Sequence, residues 1–199
     1  MPVFATLYNS ITWHFRKRNR MIKLGDLSFH TSLELAHPRF DCCCRSLLAH
    51  LSTIQLKGKR ILDIQTGTGC LAIYSASKGA SVVALDNRIL ALDIMKKNIY
   101  LNHPQTKIEL FHGKPENLAE EVQNFDFIFS QISNLPPQLL GGNLFDFAYN
   151  RLNKNGLLLV ALYRDRYTKS LAEIAKNAGF EFAQCQSSFI SCLMSFRKI

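Results

Sequence analysis

From residue 60 onward, short apolar runs alternate with stretches whose apolar positions recur at helical spacing. The runs at 60–64 (RILDI), 81–86 (SVVALD), 107–112 (KIELFH), 125–130 (FDFIFS) and 157–162 (LLLVAL) are largely apolar through both faces. That pattern predicts strands of a parallel sheet covered on both sides. Helices are expected over 70–78, 89–101, 115–123, 139–152 and 168–178, the last closed by Gly179. Strand and helix in strict alternation imply right-handed crossovers. Two closing strands, 181–186 and 189–197, follow one another without a helix and read as an antiparallel pair. The expectation is therefore an α/β fold: a doubly wound, seven-stranded, mostly parallel sheet with an antiparallel C-terminal strand.

Ahead of this alternation the pattern changes. Residues 1–25 contain no acid, and Phe4, Leu7, Tyr8, Ile11 and Phe15 lie at helical spacing before Arg16, Lys17, Arg18 and Arg20. This predicts a basic amphipathic helix suited to packing on the core, to RNA, to an anionic membrane or to organelle targeting. Residues 21–32 alternate around Gly25-Asp26 and predict a hairpin. His37-Pro38 then breaks the chain before a helix over 39–51, whose adjacent Cys42, Cys43 and Cys44 read as small apolar residues.

The chemistry concentrates where the first long strand ends. Asp63 sits near the carboxyl end of that strand, and Gly67 and Gly69 let the backbone turn tightly and approach a ligand. The helix beginning near Cys70 points free amide groups at the occupant of the turn. Asp86 ends the next strand, at the interval after Gly67 expected of a ribose-binding carboxylate. Together these residues predict a nucleoside-containing ligand.

Gly67-Thr-Gly69-Cys-Leu-Ala72 also satisfies the nicotinamide dinucleotide form GxGxx(G/A). However, Asp63-x-x-x-Gly67-x-Gly69 followed by the strand-terminal Asp86 resembles the first two motifs of class I S-adenosylmethionine-dependent methyltransferases. The closing antiparallel strands agree with that family and not with a standard dehydrogenase domain. The resemblance implies that S-adenosyl-L-methionine is held by Asp63, Gln65, Thr66, Gly67, Gly69, Asp86, Asn87, Gly113 and Ser130. The amino acid part of the cofactor then falls to Asp63 and the glycine loop, the ribose to Asp86, and the adenine to the neighbourhood of Gly113. Gln65 stands where the family generally has glycine, and Lys114 where it usually has an adenine-binding acid.

After the strand at 125–130 comes Gln131-Ile-Ser-Asn134-Leu-Pro-Pro. This resembles a loosened NPPY motif of release-factor glutamine and adenine methyltransferases, and Ser130-Gln131-Ile132 resembles the corresponding segment of ribosomal-protein methyltransferases. Gln131 and Asn134 are the alternative acceptor-orienting residues. The implied reaction is N-methylation of a protein side chain or of an RNA or DNA base, with a small-molecule methyltransferase or a non-catalytic cofactor-binding scaffold as alternatives. Such a transfer depends on alignment more than on acid-base groups.

Composition narrows the setting. The chain has 199 residues, 47% of them apolar, enough for one α/β domain over residues 57–199 behind a helical and hairpin extension over residues 1–56. A net charge of +9 favours anionic partners such as RNA or the ribosome, with a protein substrate equally compatible. Six cysteines without a CxxC pair resemble neither a disulfide framework nor a zinc site, so no metal is expected and a reducing, cytoplasmic setting is, the basic N-terminus leaving organelle targeting as the alternative. No apolar run is long enough to span a bilayer.

Overall fold

The structure, a computed structural model, describes residues 21–102, 107–132, 137–163, 168–188 and 191–199. The basic start over residues 1–20 and the candidate Asn134 lie outside the described residues.

The chain enters through an antiparallel hairpin, β1 (Met21–Leu24) and β2 (Leu27–His30), turning at Gly25-Asp26 as the alternation predicts. Its inward residues Ile22, Leu27 and Phe29 are buried. Helix α1 (Cys42–Leu51) begins three residues later than expected, because the Asp41 side chain caps it, accepting a hydrogen bond from the Cys44 amide at 2.8 Å. Cys43 and Cys44 are buried in the core, and Cys42 is half-buried.

Then the alternation begins: β3 (Arg60–Ile64), α2 (Cys70–Ser77), β4 (Ser81–Asp86), α3 (Ile89–Asn102), β5 (Ile108–His112), β6 (Phe125–Ile132), α4 (Pro137–Arg151), β7 (Leu152–Tyr163), α5 (Thr168–Asn177), β8 (Phe180–Ser187) and β9 (Ser191–Lys198). These seven strands form one sheet in the order β5-β4-β3-β6-β7-β9-β8. All pairings from β5 to β7 are parallel, while β9 runs antiparallel to both β7 and β8. The sheet is thus the expected one, and its order reverses between β3 and β6, where open α/β sheets bind ligands.

Alternate residues of each strand feed two cores. On one face Ile61, Val82, Ala84, Phe127, Phe129 and Leu159 pack with the hairpin, α1 and α2. On the other, Leu62, Val83, Ile128, Leu158 and Val160 pack with Phe145 of α4 and Leu171 of α5. Phe145 meets Phe196 edge-on at 5.2 Å, closing this second core against β9.

Two expectations need correction. The helix expected over 115–123 is a single 3-10 turn, Pro115–Asn117. The cause lies in α4: the buried Arg151 guanidinium donates to the carbonyls of Leu118 at 3.0 Å, Val122 at 2.8 Å and Ala119, of which Leu118 and Ala119 are acceptors that a helix over 115–123 would have used for itself. In addition, β7 starts at Leu152 rather than after the turn at 154–156. The chain there bulges within the strand, the register to β6 jumping from Phe125↔Leu152 to Phe127↔Leu157, with Asn155 at φ 63°.

One connection was invisible in the pattern. Asn98 and Asn102, one turn apart on α3, extend their amide groups like a strand edge to β2. Asn102 accepts from the Ser28 amide at 2.7 Å and donates to its carbonyl at 2.7 Å, and Asn98 does the same with His30 at 2.6 and 3.1 Å. The fully buried Asn98 also donates to the Thr68 carbonyl at 2.8 Å, which ties the hairpin to the glycine turn.

Candidate functional site

The glycine turn between β3 and α2 is built from backbone conformations that few residues adopt. Gln65, Gly67 and Gly69 have φ of 59°, 59° and 78°. Gly69 is the residue preceding α2, and a Cβ there would lie 2.6 Å from Cγ of Met95. Gly69→Ala is therefore expected to destabilise the fold by about 2 kcal/mol, through a left-handed alanine and a displaced Met95. Urea unfolding at neutral pH measures it; an unchanged midpoint sinks the reading. Gln65 takes the same kind of conformation with a side chain that stands exposed in the cavity. Gln65→Gly should relieve strain of about 1 kcal/mol and tighten S-adenosylhomocysteine binding severalfold, as read by calorimetry.

The turn is held from beneath by two acids. Asp63, 1% exposed, accepts from the Thr66 hydroxyl at 2.7 Å. Burial pushes its carboxyl up to about 7; the Thr66 hydroxyl and the Ala72 amide oppose that shift, and the nearby Asp86 reinforces it. Asp86, fully buried, accepts from the Gly67 amide at 3.0 Å and from the Arg88 amide at 3.0 Å. The Arg88 side chain then grips both of its oxygens, Nε to Oδ1 at 2.9 Å and Nη2 to Oδ2 at 3.0 Å. The carboxylate expected to receive a ribose is thus spanned by a guanidinium fork from the same chain.

In front of the turn opens a cavity of about 530 Å³. Gln65, Thr66, Gly67 and Asn87 line it, and so does Gln131 near the end of β6, one residue beyond the Ser130 that pairs with Ile64 of β3. Asp63 and Asp86 stand one hydrogen bond behind the lining, on Thr66 and Gly67. Ser130 is buried in β6 beside Ile64 of β3. Gly113 follows β5 and donates its amide to the Asp86 carbonyl at 3.1 Å; neither it nor Ser130 contributes to the lining. His112 is exposed at the end of β5, its Nε2 3.3 Å from the Asn87 carbonyl.

The remaining wall comes from residues to which the sequence assigned no ligand role. The segment from Glu34 to Asp41 covers the cavity, with Leu35 and His37 buried and His37 packed on Phe40 at 4.7 Å between ring centres. Tyr163, the last residue of β7, completes it; burial raises the phenol's pKa and keeps it neutral. Gln131 pairs with Ala161, two residues before Tyr163 on the neighbouring strand, a placement readable only from the parallel pairing of β6 with β7.

Electrostatically the cavity is the inverse of the chain. Glu34 and Asp41 line it and Asp63 and Asp86 underlie it, against Arg88 as the basic residue of the lining. In a protein of net charge +9, an acid-rich cavity with glycine-turn amides suits a ligand carrying cationic groups beside hydroxyls.

Known proteins resemble this chain in sequence and in fold. Residues 37–196 match the family described as ribosomal protein L11 methyltransferase (PrmA). The ribosomal protein L11 methyltransferase of Staphylococcus saprophyticus is 28% identical over 146 residues, 73% of this chain and 44% of that protein. The chain thus spans less than half the length of the curated relatives it matches. Among solved structures, a ribosomal protein L11 methylase from Lactobacillus delbrueckii superposes with a TM-score of 0.66 at 20% identity, covering 77% of each chain. The tRNA m1G37 methyltransferase of M. jannaschii gives 0.71 at 17% identity, over 91% of this chain and 58% of that one. At such identities these likenesses carry the fold, the seven-stranded methyltransferase sheet, and the match over residues 37–196 carries the family. The chain belongs to the ribosomal protein L11 methyltransferase family.

Proposed function

We propose that the chain is an S-adenosylmethionine-dependent methyltransferase that methylates a nitrogen, on a protein side chain of the ribosome in the first instance. The observation that carries this reading is the acid-rich cavity in front of the Gly67-Gly69 turn, in a chain that is otherwise basic. The sulfonium and ammonium groups of S-adenosylmethionine match those acids, its ribose diol matches the two oxygens of Asp86, and its carboxylate matches the amides at the start of α2. Asp63, Gln65, Thr66, Gly67, Gly69, Asp86 and Asn87 form the cofactor side, with Gly113 and Ser130 supporting it from β5 and β6. When bound, the cofactor supplies an activated methyl group. The chain's task is then to orient the acceptor lone pair and exclude water.

Gln131 is the acceptor-side residue among the described ones: its carboxamide oxygen accepts a hydrogen bond from the target N–H and fixes the direction of the lone pair. Tyr163 and Phe40 flank the same space. Residues 57–199 form the cofactor-binding unit, and residues 34–41 of the preceding segment cover it. The relatives' ribosomal target and the net charge of +9 favour an acceptor presented near RNA, in the cytoplasm; among the described residues no helix is long and apolar enough to cross a membrane.

The test is calorimetric titration with S-adenosylmethionine and S-adenosylhomocysteine, NAD serving as control, followed by transfer of radiolabelled methyl into separated ribosomal proteins, ribosomal RNA and small-metabolite fractions. Binding at micromolar concentration with label in protein supports the reading. Label in RNA or in metabolites replaces the acceptor but keeps the activity. Absence of binding leaves a non-catalytic scaffold.

A further inference from the structure

At the outer edge of the sheet, β8 and β9 bring two cysteines together. The register pairs Cys185 with Met194 and Ser187 with Cys192, which makes Cys185 and Cys192 diagonal neighbours on one face of the ladder. Their sulfur atoms are 2.8 Å apart. That is inside non-bonded sulfur contact and about 0.8 Å longer than a disulfide bond. Their surroundings differ sharply. Cys192 is fully buried in the core beside Met194 and Phe196, whereas Cys185 is exposed on the edge strand, with the Ser187 hydroxyl 3.3 Å from its sulfur.

We infer that Cys185 and Cys192 are a modification site, oxidised to a cross-strand disulfide by low-molecular-weight disulfides, with Cys185 as the attacking thiol. The exposed Cys185 thiolate attacks one sulfur of the small disulfide, whose S–S bond breaks and releases one thiolate. A mixed disulfide on Cys185 remains. Cys192 gives its proton to the departing thiolate, attacks the Cys185 sulfur and expels the second small thiolate. Two protein thiols are thereby oxidised by two electrons, and one small disulfide is reduced to two thiols. Burial denies Cys192 the first step, and proximity gives it the second. The bond ties the outermost strand, exposed along most of its length, to the buried strand that carries the antiparallel end of the sheet. This inference is independent of the methyltransferase reading.

The sequence makes the test clean. Trypsin cleavage after Lys176 and Arg197 places both cysteines, and no other, in the peptide 177–197. The full chain is reduced, desalted, incubated with oxidised glutathione, blocked with iodoacetamide and digested without reductant. The expected peptide is lighter by two hydrogen atoms and carries no alkyl group. In Cys192→Ser the same treatment should trap glutathione on Cys185, and in Cys185→Ser it should leave Cys192 without glutathione. A doubly alkylated peptide from the parent chain, or glutathione persisting on Cys185 while Cys192 is alkylated, overturns the inference.

Discussion

Replacing Arg88 by alanine is expected to tighten S-adenosylhomocysteine binding about tenfold, close to 1.4 kcal/mol, whereas Asp86→Asn should weaken it at least a hundredfold. Both outcomes follow from one geometry. The Asp86 carboxylate is fully buried, and each oxygen accepts one backbone amide and one guanidinium N–H. A ribose diol presents two O–H donors at a similar separation, so ligand and Arg88 compete for the same two lone-pair directions. The Arg88 side chain is 46% exposed and can turn outward, but a ligand must first displace it. Without the guanidinium the carboxylate keeps its two amides and is free for the ribose. Asparagine instead points an amino group at one of those donors inside a buried pocket, at a cost on the order of 3 kcal/mol. Calorimetry on both variants decides the matter. Weaker binding by Arg88→Ala would show the guanidinium touching the ligand rather than holding its place.

The second large effect concerns acidity. With Asp63 at about pH 7, the empty fold favours the protonated carboxyl, since ionised it lies buried close to Asp86. An acid whose pKa is raised on folding contributes its full stability below its unfolded value, near pH 4, and loses it as pH climbs through 7. The ligand-free protein should therefore lose stability between pH 4 and 7, by up to about 4 kcal/mol from this group. Ligand binding should run the other way. An ammonium group favours the ionised carboxylate, so affinity for S-adenosylmethionine should rise with pH up to about 7 and then level off, with a proton released on binding. Titration in two buffers of different ionisation enthalpy reads that proton directly. Asp63→Asn, able to keep one hydrogen bond of the pair, should flatten both profiles; a pH dependence unchanged in this variant would assign the titration elsewhere.

How much of this was legible in the sequence differs between scaffold and site. The parallel strands were readable because burial on both faces leaves continuous apolar runs, and Asp63, Gly67, Gly69 and Asp86 were readable because a tight turn at a strand end admits few residue types. The failure at 115–123 has the opposite origin: Arg151, distant in sequence, takes carbonyls on which a helix there depends. Asn98 and Asn102 read as unremarkable polar positions on α3, since nothing local indicates that their amides complete a strand edge. Arg88 was missed for a related reason. Its neighbour Asp86 was read as a ligand group, and a carboxylate that binds a diol equally binds a guanidinium.

The amide bridge from Asn98 bears on movement. Detaching β2 from α3 breaks the bonds of both asparagines and strands a buried Asn98 amide beside the Thr68 carbonyl. The hairpin is therefore a fixed post rather than a door. Between His30, pinned to that post, and Asp41, pinned as the cap of α1, the covering segment has its mid-length side chain Leu35 packed on Ala91 and Ile94. Withdrawing Leu35 alone costs about 2 kcal/mol, and the buried His37, packed on Phe40, adds to the hold on this segment. A ligand of the cavity should enter and leave by local opening of residues 31–41, hinged at those two residues, on a timescale of about microseconds to milliseconds, while the glycine turn stays formed throughout.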